Sequence, residues 1–360
     1  MSTNNNSNNT TTDGVDDAVM MMRRDEQTMA QVQAIQNDIV ASQPLTSMYH
    51  SNFDSLLQKY NNNNNNNNTD DTDDTTTTSS STQQQQSQVF CRQIIWLSHH
   101  FKGIRFVRGD GNCFYRAVWY RWLEILHTNA ITSSSQPQNP SFAQRALDHV
   151  QGKLWPQILQ AGFDEMTVET FHDSVVDVLQ RLVALTKYQP TENCSSSSTN
   201  DGTTKTPGKD CSDWSSFHDE LIQETGLSDY ATWYLRVCTS SFFKLASQQH
   251  GKDSLYVPYL PPHVRGSMDV YCQQSIEPMG KECDELSIVA LAECLQIPIS
   301  IAYVDGRRTI DTRTSSPNDI ITDTVMIHRY GPTNTEDTTT NAPCPITLLY
   351  RPGHYDILYE

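Results

Sequence analysis

Nowhere in the 360-residue chain is there an uncharged apolar run of the roughly 18 residues that a membrane-spanning helix needs, so no such helix is expected. Basic residues are also few: 25 Lys and Arg stand against 42 Asp and Glu, a net charge of −17. Binding to nucleic acid or to an anionic membrane depends on neutralising phosphate. This balance counts against both and suits a basic partner surface. The opening "MSTNNNSNNTTTDG" has no apolar stretch of the kind a secretory leader carries. Nine cysteines are scattered without a Cys-x-x-Cys pair, which argues against a disulfide scaffold and for a reducing compartment. A soluble protein of the cytoplasm, with the nucleus open to it as well, is the expectation. Cys272, Cys283 and Cys294 are spaced by eleven residues, but Pro278 and Gly280 interrupt any single helix through them. Structural zinc is therefore not expected.

Aliphatic and aromatic residues are missing altogether from Thr69 to Ser87, and Asn61 to Asn68 is an unbroken asparagine run. Neither stretch can bury enough apolar surface to offset the entropy of ordering. The expected organisation is a disordered tail at 1–22, a helical segment at 23–60 broken by Pro44, and a disordered linker at 61–88. One folded domain then runs from Val89 to Glu360. Polar insertions at 191–213 and 311–345 read as surface loops. Between them Trp233, Tyr234, Val237, Phe242 and Leu245 recur at helical spacing, as do Ile288, Leu291, Ala292 and Leu295. "IPISIAYVDG" has the composition of a strand closed by an Asp-Gly turn. Helices alternating with a few β-rich runs indicate a mixed α/β fold.

Within that domain "RGDGNCFYRA", residues 108–117, sets a cysteine directly after a glycine-bracketed turn. Gly109 and Gly111 leave the backbone free to adopt positive φ or to bring amides close to a ligand. Phe114, Ala117, Val118, Trp122, Ile125 and Leu126 then repeat at helical spacing, which places Cys113 in the first turn of a helix, with Asp110 or Asn112 as its N-cap. Unpaired amides and the positive end of the helix dipole favour thiolate over thiol. Amides converging on one point can also stabilise an oxyanion. The decapeptide alone fits equally well a cysteine packed beneath Phe114 above a structural turn.

The last fifteen residues, "ITLLYRPGHYDILYE", read as a hairpin: Ile346 to Tyr350, a Pro352-Gly353 turn, and His354 to Tyr359. Strand alternation puts His354 and Asp356 on one face, so the carboxylate can set the tautomer and orientation of the imidazole. Cys113, His354 and Asp356 thus have the chemistry of a nucleophile, a general base and its orienting partner. An edge-strand histidine satisfied by Asp356 has the same local pattern.

Taken together, "VRGDGNCFYRA", "RPGHYDILYE" and the intervening "VYCQQSIEPMGKECDELSIVALAECLQIPISIAYVD" resemble the otubain family of OTU-superfamily cysteine peptidases. The resemblance spans about residues 90–305 and 344–360, with a weaker echo in "IVASQPLTS". It implies a papain-like fold, with a small central β-sheet between helices and a C-terminal hairpin. It also implies that Cys113 is the nucleophile, His354 the general base, Asp356 its partner, and Asp110 part of the oxyanion-hole turn. The implied activity is hydrolysis of isopeptide bonds between ubiquitin and lysine through an acyl-enzyme, with no metal or organic cofactor. Implied partners are ubiquitin, polyubiquitin chains and ubiquitin-conjugating enzymes. A scaffold that binds ubiquitin or a conjugating enzyme without cleavage is the alternative such a resemblance allows. Two departures stand out: the polar insertions are longer than expected of otubains, and Glu285 stands where several relatives have histidine.

Overall fold

The computed structural model describes residues 43–65, 77–132, 140–187, 214–222, 226–250, 256–262, 264, 267–306, 309–310, 321–322, 324–332 and 346–360. The expected tail at 1–22, the helical piece at 23–42 and the insertion at 191–213 lie outside the described residues.

Helices α1 (Asp54–Asn65) and α2 (Thr77–His100) precede strand β1 (Gly103–Arg105). A helical half follows, formed by α3 (Cys113–Thr132), α4 (Phe142–His149), α5 (Trp155–Gln160), α6 (Glu165–Lys187), α7 (Trp214–Leu221) and α8 (Leu227–His250). Next come α9 (Met268–Tyr271), α10 (Glu285–Leu295) and the strands β2 (Ile299–Tyr303), β3 (Thr309–Ile310), β4 (Ile321–Thr322), β5 (Met326–Tyr330), β6 (Ile346–Arg351) and β7 (His354–Tyr359). Five strands form one sheet in the order β1-β7-β6-β2-β5, with β2 and β6 parallel and the other pairs antiparallel; β3 and β4 pair separately. Among the described residues no helix is long and apolar enough to cross a membrane.

Strand alternation divides the sheet into two apolar faces, both covered by helices. Ile299, Ile301, Ile346, Leu348, Tyr355 and Ile357 join the main core with α3, α6, α8 and α10. On the opposite face Ala302, Val304, Leu349 and Leu358 pack with Phe53 and Leu56 at α1 and with Phe90, Ile94 and Leu97 of α2. Helix α3 is buried nearly all round, including Tyr115, Trp119, Tyr120 and Leu123 as well as the periodic face. Such a helix runs through a core rather than over it.

Two stretches differ from the sequence reading. Met326–Tyr330 lies inside the tract read as a polar loop, yet it forms β5 at the edge of the sheet, pairing with β2 from Ile299↔Tyr330 to Tyr303↔Met326. Its first four residues are exposed, so the alternation that betrays a half-buried strand is absent. Helix α2 begins at Thr77 and α1 continues to Asn65, both inside the tract read as linker. The segment before that tract belongs to the sheet's packing, since Thr46 and His50 bridge to Val107 and Ile104.

If α1 is part of the core, Leu56→Ala should lower unfolding stability by ~2–5 kcal/mol, as large-to-small core changes do, with a lower urea midpoint. Met166→Ala, at an 84% exposed position, should leave the midpoint unchanged.

Candidate active site

About 240 residues separate Cys113 from His354; the pairing of β1 with β7 closes that distance. Gly103, Ile104 and Arg105 stand opposite Tyr359, Leu358 and Ile357, so the chain leaving β1 runs back along β7 toward its first residue, His354. Val107 N–H then donates to Asp356 Oδ1 at 3.1 Å. Gly109 lies against the imidazole, where an added Cβ would stand 3.3 Å from His354 Nδ1. The loop from Arg108 to Asn112 is thereby laid beside the ring, and Cys113, buried at 2% exposure, opens α3 next to it.

His354 Nε2 donates to Asp356 Oδ1 at 2.9 Å, and the Cys113 side chain is close enough to interact electrostatically with the ring. Burial alone would depress the imidazole pKa, but the bond to Asp356, the Cys113 side chain and the charges of both raise it to about 9. Asp356 has no exposed surface. Its burial favours the neutral acid, but the charge of Arg351 and the bond and charge of His354 hold its pKa below the usual carboxylate value. Arg351 donates to Oδ2 twice, from Nη2 at 2.5 Å and Nε at 3.2 Å. Both carboxylate oxygens therefore carry two bonds each.

The turn before Cys113 is held as tightly. Gly111 has φ +75°, and a Cβ there would fall 2.1 Å from the Gly280 carbonyl oxygen, so no other residue fits. Asn112 Oδ1 accepts from Gly280 N–H at 2.8 Å and from Arg236 Nη2 at 2.9 Å. Arg236, buried in α8, also donates to the carbonyls of Gly111, Ile276 and Lys281. Asp110 Oδ1 accepts from Asn112 N–H at 3.0 Å and from Arg116 Nη1 at 2.8 Å. Burial opposes its ionisation, and Arg116 together with the Asn112 amide still holds its pKa low. The cap role is thus shared: Asn112 supplies the carbonyl that accepts Arg116 N–H at 3.0 Å, and Asp110 accepts the Asn112 amide.

All four residues singled out from sequence, Cys113, His354, Asp356 and Asp110, meet in one place. Glu285 stands at the start of α10 and accepts from the Tyr330 hydroxyl at 2.9 Å. Among the described residues no group of three or more His, Cys, Asp and Glu is arranged to hold a metal ion. Sequence reasoning passed over Arg351, Arg236 and Arg116. Arg351 carried a usable signal, because a two-residue hairpin turn at Pro352-Gly353 sets it opposite His354, and that pair is observed. Arg236 lies in an ordinary helical pattern and carried none.

The family model described as Peptidase C65 Otubain matches residues 62–206 and 209–360. The chain belongs to the otubain family. Among curated otubain relatives it is similar to "OVARIAN TUMOR DOMAIN-containing deubiquitinating enzyme 1" of Arabidopsis thaliana, 29% identical over 76% of this chain and 74% of that protein. It is also similar to "Ubiquitin thioesterase OTUB1" of Homo sapiens, 26% identical over 93% of this chain and 90% of that one. Among solved structures, "The structure of h/ceOTUB1-ubiquitin aldehyde-UBC13~Ub" shares the fold at a TM-score of 0.59 and 24% identity, covering 93% of this chain and 98% of that chain.

For this otubain the ionisation of His354 carries a pH signature. Its pKa rises on folding from 6.5 to about 9, so the folded state holds that proton more tightly than the unfolded chain. The resulting stabilisation is complete below pH 6.5 and is lost as pH climbs through about 9. Urea unfolding of the wild type should show stability falling across that window, and His354→Gln should flatten the fall. Parallel curves for the two proteins would show that the imidazole is not paired in this way.

Proposed function

We propose that this otubain is a deubiquitinating cysteine protease that cleaves the isopeptide bond between a ubiquitin C-terminal glycine and a lysine. The observation that carries this reading is an imidazole hydrogen-bonded to a buried carboxylate and electrostatically coupled to the Cys113 side chain, in a chain of this family. In the first half-reaction the Cys113 thiolate attacks the glycine carbonyl carbon, and the carbonyl oxygen becomes an oxyanion. In this reading the Cys113 amide at the N-terminus of α3, with an amide of the Asp110 turn, donates to it. Protonated His354 gives its proton to the lysine nitrogen as the C–N bond breaks, leaving a thioester. In the second, His354 takes a proton from water, the hydroxide attacks the thioester, and ubiquitin leaves as the carboxylate with the thiol restored.

The partners in this reading are ubiquitin and its chains, with ubiquitin-conjugating enzymes as a further class. The solved neighbours are titled as complexes with ubiquitin aldehyde and with UBC13~Ub or UBCH5B~Ub, and a net charge of −17 suits a basic recognition face.

A ubiquitin probe bearing a C-terminal electrophile should label the wild type at Cys113. Labelling that survives Cys113→Ala would remove the assignment. With an isopeptide-linked substrate, His354→Ala and Asp356→Asn should each lower kcat by ~10³–10⁴-fold, in the range seen when a triad member is lost. Ubiquitin affinity should stay close to that of the wild type in Asp356→Asn.

A further inference from the structure

The face of the sheet that carries Asp356 is roofed by α1 and α2, and one contact joins that roof to the active site. Arg351, 8% exposed, bonds Asp356 Oδ2 through two nitrogens and stands opposite His354 in the hairpin. The Tyr60 side chain of α1 interacts electrostatically with the same guanidinium, and its ring stacks on Phe90 of α2 at 4.7 Å and 11°. Lys59, the residue before it, interacts electrostatically with both Arg351 and Asp356. The geometry points to Arg351 as a positioning residue that fixes the orienting carboxylate of Asp356, with Tyr60 of α1 as the brace that holds Arg351. The inference rests on the assignment of Cys113, His354 and Asp356 made above. It extends the catalytic machinery to a helix on the N-terminal side of the asparagine tract.

Each link has a physical reason. A carboxylate without solvent contact must be paired on both oxygens to stay ionised. His354 and Val107 N–H occupy Oδ1, so Oδ2 depends on the guanidinium. A planar two-point bond also fixes the rotation of the carboxylate, and with it the direction in which Oδ1 meets the imidazole. A guanidinium has five donors, and two of them are bound to Asp356. Lysine in place of Arg351 would supply the charge without the fork.

The test is a mutant cycle in the full chain, read with a ubiquitin C-terminal fluorogenic amide and, independently of ubiquitin, by the rate at which chloroacetamide alkylates Cys113 at pH 7. Arg351→Met should lower kcat by ~10–100-fold with KM little changed, less than the ~10⁴-fold typical of neutralising the orienting carboxylate itself. Arg351→Lys should recover part of that loss, and Tyr60→Phe should cost about 3-fold, less than a full hydrogen bond is worth. In the Asp356→Asn background both Arg351→Met and Tyr60→Phe should add less than about 2-fold, because residues acting through one group do not add. The alkylation rates should rank in the same order. Losses that multiply in the double variants, or an Arg351→Lys or Tyr60→Phe protein that alkylates and turns over like the wild type, would overturn the proposal. The two conservative variants keep the side-chain volume and carry the test if Arg351→Met does not fold. Alkylation that follows this pattern in a protein without activity on any ubiquitin substrate would remove the ubiquitin reading and leave Arg351 in place.

Discussion

A carboxylate with no exposed surface, Asp356, sets the terms for the rest of the site. An ion removed from water costs several kcal/mol unless its partners are close and well aligned. Here four bonds converge on it, from Arg351 twice, from His354 and from the Val107 amide. The burial is supplied from outside the helical half: Phe53, Leu56, Phe90, Ile94 and Leu97 cover the sheet face on which Asp356 lies. The roof therefore does more than stabilise the sheet. By excluding water it strengthens each charge interaction beneath it, which is how an imidazole that burial alone would neutralise comes to hold its proton up to about 9.

The thiol side follows a different principle, close approach of backbone. Gly280 comes so near Gly111 that a Cβ on Gly111 would fall 2.1 Å from the Gly280 carbonyl oxygen. Arg236 then spans both segments, taking the carbonyls of Gly111, Ile276 and Lys281 and the Asn112 side chain as acceptors. Its partners are neutral oxygens, and burial lowers the pKa of its guanidinium. Tyr115 stacks beneath that guanidinium at 4.5 Å. The Asn112 amide of the same turn is taken by Asp110, so the turn is held through both its carbonyls and its amides.

What could be read from the chain divides along the range of the interactions. The hairpin was legible because its signals are local: alternation on each side of Pro352-Gly353, with Gly353 at φ +74° as such a turn requires. The place of Cys113 at the start of a helix was legible for the same reason. Strand β5 was not, since an exposed edge strand shows no alternation and its neighbours are Thr-, Asn- and Asp-rich. The start of α2 at Thr77 was not, since Thr, Ser and Gln have no apolar period to reveal a helix. Arg236 and Arg116 were missed because an arginine looks alike in sequence whether it faces water or a buried partner, and only the long-range packing distinguishes them; Arg351 alone had a local signal, its register opposite His354.

Register is what joins these levels. Arg351 pairs with His354, Leu349 with Asp356 and Leu348 with Ile357 across the hairpin. A slip of one residue would turn His354 and Asp356 to the face occupied by Tyr355 and Ile357, and set those two against α1 and α2. The apolar residues of β7 belong to different cores, Ile357 to the main one and Leu358 to the one under α1 and α2, so such a slip would misplace both at once. The geometry of this candidate site is thus enforced by hydrophobic partition, which acts along the whole strand, more than by its own polar bonds. Those bonds refine a placement already made, and they can do so because β1, paired with the other edge of β7, delivers the cysteine loop at the level of His354.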